Sequence, residues 1–128
     1  MINKKIVIVG SILFVTAIIL GAFGAHALKD TLTSEKLQSF EVGVRYQFFI
    51  SLILLLFGFL ADKIPFSLRT FFIFQLSGIL LFSGSIYLLS IEQLLVINLK
   101  FLGPVTPLGG LLIIIGWIIF IIRLIRIN

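Results

Sequence analysis

No cysteine occurs in this 128-residue chain. Its absence excludes a disulfide framework, a thiolate metal site and a cysteine nucleophile. Charge is also scarce. Asp, Glu, Lys and Arg make up 12% of residues, about half the ~25% usual in soluble chains. His26 is the single histidine, with no second histidine or cysteine to build a ligand set. Also missing are a phosphate-cradling glycine loop, an H-E-x-x-H pair, a G-x-S-x-G elbow and a carboxylate dyad within an apolar stretch. Enzymatic chemistry therefore has no evident residues to stand on, and neither a cofactor nor a metal is expected.

What the chain has in abundance is apolar side chains. They form 60% of the sequence, against roughly 45–50% in ordinary globular proteins, and mean hydropathy is +1.28. A soluble globule this small has too much surface per volume to hide them, so the excess must face lipid. The net charge of +5 could suggest nucleic acid. The basic residues, however, stand in ones and twos at the ends of apolar runs and form no patch. The expected partner is the lipid bilayer, not nucleic acid.

Four apolar stretches stand out, at about residues 6–27, 46–61, 71–90 and 105–122. A helix crossing the ~30 Å hydrocarbon core needs about 20 residues. The first, third and fourth stretches suffice alone, whereas the second is short unless it extends back through Val44. The expected fold is therefore all-α, a single four-span transmembrane domain over residues 1–128. The first stretch has a rival reading. Lys4 and Lys5, an apolar run and "AHA" at Ala25–Ala27 imitate a secretory signal peptide. Its run is longer than a usual signal core, and three further membrane-grade segments follow, which favours a retained span.

Between the first two stretches lies the one polar segment of any length. Thr33 or Ser34 can cap a helix there, with Glu35 in its first turn. Leu37, Phe40, Val44 and Phe48 recur at helical spacing. The pattern predicts a short amphipathic helix over about 34–45, lying on the interface before the second span. Orientation follows from the basic residues. With the N-terminus inside, six (Lys4, Lys5, Lys63, Arg69, Arg123, Arg126) fall on the cytoplasmic side and four (Lys29, Lys36, Arg45, Lys100) outside. The positive-inside rule thus puts both termini in the cytoplasm.

Four polar residues are candidates for function. Glu41 and Arg45 stand four apart with Glu first, the favourable order for a helical ion pair. They either anchor the amphipathic helix among headgroups or serve a function, because ionisable groups near lipid are costly. His26 closes the first stretch, either handling a proton or metal or satisfying a carbonyl at the interface. Gln75 lies within the third stretch and needs an interhelical partner. Trp117 falls inside the fourth stretch, away from the usual interfacial belt, and should pack inward against glycine. Small residues recur on the spans: Ala17, Gly21 and Ala25 every fourth position, then Gly78 and Ser85, and Gly109 and Gly116, seven apart. Such faces let helix backbones approach closely in lipid.

Four motifs carry a family resemblance: "GAFGAHALKDTL" at 21–32, "FEVGVRYQ" at 40–47, "FSGSIYLLSI" at 82–91 and "LGPVTPLGGLLIIIGW" at 102–117. In this order they resemble the bacterial membrane family known as domain of unknown function 423, whose eukaryotic relative is transmembrane protein 256. The resemblance implies a four-span protein of the bacterial cell membrane with no established biochemical function. Two positions depart from it. Ile50 stands where the family often has histidine, and Val42 where a Thr is common. Chemistry that required that histidine could not proceed here in the same way. The leading expectation is a non-enzymatic structural or membrane-supporting protein, with a homo-oligomer or a membrane-protein partner in reach. The alternative is a small-solute or ion transporter or channel working as an oligomer. It would have to use Glu41, since the first span has no acid.

Overall fold

The computed structural model describes residues 1–127, and Asn128 of the expected 1–128 domain lies outside the described residues. The described chain contains four long helices and no strand: α1 (Lys4–Ala25), α2 (Ser34–Phe59), α3 (Arg69–Leu95) and α4 (Val105–Ile125). Each is long and apolar enough to cross a membrane. Local chemistry sets their ends. Asn3 caps α1, its Oδ1 accepting the Ile6 N–H at 3.3 Å, and Thr33 caps α2 by accepting the Lys36 N–H at 3.3 Å. Pro104 precedes α4, and Pro107 falls in its first turn, where a missing N–H leaves no intrahelical bond unmade.

The separate amphipathic helix expected over 34–45 is not there. Those residues form the first half of one continuous 26-residue helix. Two features explain the correction. No proline interrupts the segment, and Gly43, its one glycine before residue 58, has no positive φ, so nothing bends the chain near Arg45. The apolar stripe also runs on unbroken. Phe40, Gly43, Gln47, Ile50 and Leu54 are all buried and spaced alternately three and four apart, the seam of a helix packed nearly parallel to its neighbours. A helix turned flat on the interface would have to leave that seam.

Helices pack in chain order, α1 on α2, α2 on α3 and α3 on α4. Among the described residues, α1 and α4 form no substantial interface with each other. The central pair α2 and α3 is the more buried. The outer helices turn Ile8, Ile12, Ile19, Ile114, Ile118 and Ile121 outward, as lipid contact requires.

The closest approach is between α3 and α4. A Cβ on Gly109 would lie 2.7 Å from the Gly78 carbonyl oxygen and would run into the Phe82 backbone, and one on Gly78 would sit 2.9 Å from the Gly109 carbonyl oxygen. At one end of the molecule Trp117 packs edge-on against Phe71, ring centroids 5.0 Å apart, and near Phe57 and Phe120. It points inward as its position predicts, but its neighbours are aromatic rings.

The glycine contacts generate a paired prediction. Gly109→Ala should destabilise the protein by about 1–3 kcal/mol, the usual cost of overpacking. Gly84→Ala, with no atom within 4 Å of the added carbon, should be neutral or stabilise by up to about 1 kcal/mol through helix propensity. Thermal unfolding in detergent compares the two.

Candidate functional site

Of the four polar candidates, Gln75 is the one that lies fully buried. Its Nε2 donates to the Ile113 carbonyl of α4 at 3.1 Å. Gly116 makes room for it, since a Cβ there would meet Nε2 at 2.7 Å. One helical stretch further along, the hydroxyls of Ser85 and Thr106 meet at 2.6 Å. Gly78, Ser85, Gly109 and Gly116 thus lie in a single α3–α4 seam with Gln75.

On α1 the small-residue pattern divides differently. The small residues buried on α1 are Gly10, Ala17 and Gly24, each seven apart. Gly21 is half-buried near Val44, and Ala25 is exposed. A stripe repeating every fourth residue drifts around the helix relative to a nearly parallel partner, whereas a heptad repeat stays facing it. Gly24 therefore takes the place that the four-residue stripe gave to Ala25.

Glu41 and Arg45 are both exposed. Among the described residues they form no ion pair with each other, despite their favourable spacing. They line a groove of about 210 Å³ between α1 and α2, whose other walls include Gly21, Gly24, Phe40 and Phe48. His26 lies exposed at the end of α1, its backbone N–H bonded to the Ala22 carbonyl at 3.1 Å, beside a separate hollow with Phe23 and Ala27. Among the described residues no cluster of His, Cys, Asp and Glu could hold a metal. Glu41, His26 and Gln75 thus occupy three different places, and no described cavity is lined by two of them.

The most extensive polar network runs through residues that a search for charge passes over. Gln47 of α2 donates through Nε2 to the Leu13 carbonyl at 2.9 Å and to Thr16 Oγ1 at 2.8 Å, both on α1. Its Oε1 accepts the Tyr87 hydroxyl of α3 at 2.7 Å. A few residues away, Ser83 donates to the Gly43 carbonyl at 2.7 Å. Gly43 is required here, because a Cβ would strike the Tyr87 ring at 2.8 Å. One glutamine therefore ties three helices together with both amide hydrogens and its carbonyl in use. Heptad spacing on α2 was the available signal, since it places Gln47 on the buried seam.

Two charged clasps bound the helices at opposite ends. Lys36 of α2 meets Glu92 of α3 at 3.1 Å and donates to the Leu89 carbonyl at 2.8 Å. Glu92 also accepts the Leu99 N–H at 3.2 Å, tying down the loop before α4. Arg123 of α4 donates to the Ser67 carbonyl at 2.9 Å and to Thr70 Oγ1 at 3.1 Å.

The network and the Lys36–Glu92 clasp draw mainly on residues 36–99, and that region lies inside a family match. The family described as "Protein of unknown function (DUF423)" matches residues 20–110. The chain belongs to that family. It is 39% identical to UPF0382 membrane protein YwdK of Bacillus subtilis (strain 168), over 96% of this chain and 98% of the relative. It is 36% identical to a UPF0382 membrane protein of Staphylococcus aureus (strain bovine RF122 / ET3-1), over 93% of each. No solved structure matches. This DUF423 protein is thus an all-helical membrane protein whose relatives carry no enzymatic name. Its Ile50, where the resemblance leads one to look for histidine, is buried in the apolar core.

Coupling through Gln47 is measurable in this DUF423 member. Tyr87→Phe strands the Gln47 carbonyl, and Gln47→Leu strands the Tyr87 hydroxyl. Each single change should cost about 1–3 kcal/mol. The double variant should cost less than their sum by about 0.6–1.7 kcal/mol, the range for hydrogen bonds between membrane helices. A double-mutant cycle by unfolding in mixed micelles checks this.

Proposed function

We propose that this chain is a non-enzymatic structural protein of the bacterial cell membrane, spanning it four times with both termini in the cytoplasm. The observation that carries the reading is how the interior polar side chains are used. Gln47, Tyr87, Thr16, Ser83, Ser85, Thr106 and Gln75 all hydrogen-bond across helix–helix contacts. A transport route or reaction site would leave polar groups facing a shared cavity, free for a solute. Here they face each other or a neighbouring backbone, and Gln75 Oε1 is the one buried side-chain polar atom left without a partner among the described residues.

Orientation has support from charge. Four antiparallel crossings bring both ends to one side, and that side holds Lys4, Lys5, Lys63, Arg69, Arg123 and Arg126. The isoleucine-rich outer faces of α1 and α4 fit lipid tails, and they leave flanks for a second copy or another membrane protein.

A chain without cysteine makes labelling clean. Asp30→Cys should react with an impermeant maleimide in intact cells, whereas Ile2→Cys should react only after lysis. The reverse pattern would overturn the orientation. For activity, the purified protein in liposomes should give no proton-coupled flux above protein-free vesicles. Flux abolished by Glu41→Gln, with the fold intact by circular dichroism, would replace the structural reading by transport.

A further inference from the structure

A cavity of about 540 Å³ opens between the starts of α1 and α3, within the ~300–1,000 Å³ typical of small-molecule sites. Its walls are divided by chemistry. Lys5, Ser67 and Arg69 supply polar groups, while Ile6, Phe72 and Ile73 supply apolar surface. Ile73 is 49% exposed on a helix apolar enough to span the membrane, so that wall opens toward lipid tails.

The charges of this cavity are uncompensated. No carboxylate lines it. Asp62, the acid near this end, lies 3.8 Å from the amino group of Met1. Neither the Lys5 ammonium nor the Arg69 guanidinium has an ion-pair partner among the described residues. Arg123, which reaches this end from α4, is by contrast engaged with the Ser67 carbonyl and Thr70 Oγ1. Ser67 Oγ accepts the Arg69 N–H at 3.3 Å, which leaves its own hydrogen to donate. Two cations from two helices and a hydroxyl from the loop before α3, above an apolar wall, match an amphiphile with a negative head. Guanidinium suits phosphate oxygens in bidentate geometry, and basic pockets between membrane helices hold anionic headgroups.

We propose that this cavity is a binding site for one anionic phospholipid, its phosphodiester held by Lys5, Arg69 and Ser67 and a tail lying along Ile6, Phe72 and Ile73. A zwitterionic lipid fits less well, because its ammonium would find no carboxylate. The groove at the other end of the helices differs in this respect, carrying Glu41 and Arg45 together. The proposal does not depend on which face of the membrane the cavity occupies.

Native mass spectrometry of the full chain in detergent tests it, with phosphatidylglycerol or phosphatidylcholine added at equal concentration. The wild type should retain one phosphatidylglycerol with a preference of about tenfold or more. Lys5→Gln/Arg69→Gln should lose that preference, while its thermal transition in phosphatidylcholine stays as in wild type, showing that the fold is intact. The control Lys63→Gln/Arg126→Gln removes equal charge at the same end but lines no part of the cavity, and should keep the preference within about twofold. Equal loss in both double variants would overturn the site in favour of diffuse surface attraction. Equal retention of phosphatidylcholine by the wild type, or displacement of phosphatidylglycerol by inorganic phosphate at the same concentration, would also overturn it.

Discussion

In a bilayer, one helix gains little from touching another unless backbones come close or polar groups pair, because lipid tails satisfy apolar side chains equally well. Everything in this protein depends on meeting that condition. At the α3–α4 crossing it is met by Gly78 and Gly109, each set against the carbonyl oxygen of the other. At α1–α2 it is met by Gly10 and Gly58, whose missing side chains make room for Leu55 and Val7. Between α2 and α3 the approach is looser, and aromatic rings and hydrogen bonds take over: Tyr87 lies over Gly43, Ser83 reaches the Gly43 carbonyl, and Lys36 meets Glu92. Glycine contacts thus close the two outer hairpins, and polar contacts join the hairpins to each other.

That division bears on the functional reading. The middle of the protein is where a solute pathway would have to run, and it is where Gln47 spends both hydrogens and its carbonyl on Leu13, Thr16 and Tyr87. Gln75 is one exception to full pairing, since its Oε1 is buried without a partner while its Nε2 is bonded. A single unpaired carbonyl oxygen costs less than an unpaired charge, so it is compatible with a packed seam.

The four helices were legible in the sequence because apolar length is a strong signal that needs no partner to interpret. Their segmentation was less so. Glu41 and Arg45 made residues 34–45 look interfacial, although the seam from Phe40 to Leu54 runs straight through them. Membership of the family was legible from motifs. The polar network was not, for two reasons. Neutral residues such as Gln47 and Ser83 carry no charge to mark them, and partners forty residues apart, such as Gln47 and Tyr87, are joined only by the fold. The same holds on α1, where α2 alone decides that Gly24 faces inward and Ala25 does not.

The unequal lengths of the helices have a consequence for the surrounding lipid. At 1.5 Å per residue, the inner pair α2 and α3 rises about 40 Å and the outer pair about 32 Å. Hydrocarbon about 30 Å thick matches α1 and α4 but not their neighbours. The surplus turns of α2 and α3 carry the Lys36–Glu92 clasp, which therefore stands among headgroups and water. Lipids beside the outer helices meet a wall of their own height, whereas those beside the inner pair meet a taller one. The protein thus imposes a step in height at the headgroup level around its perimeter, with the surplus turns of α2 and α3 standing above the hydrocarbon that α1 and α4 match.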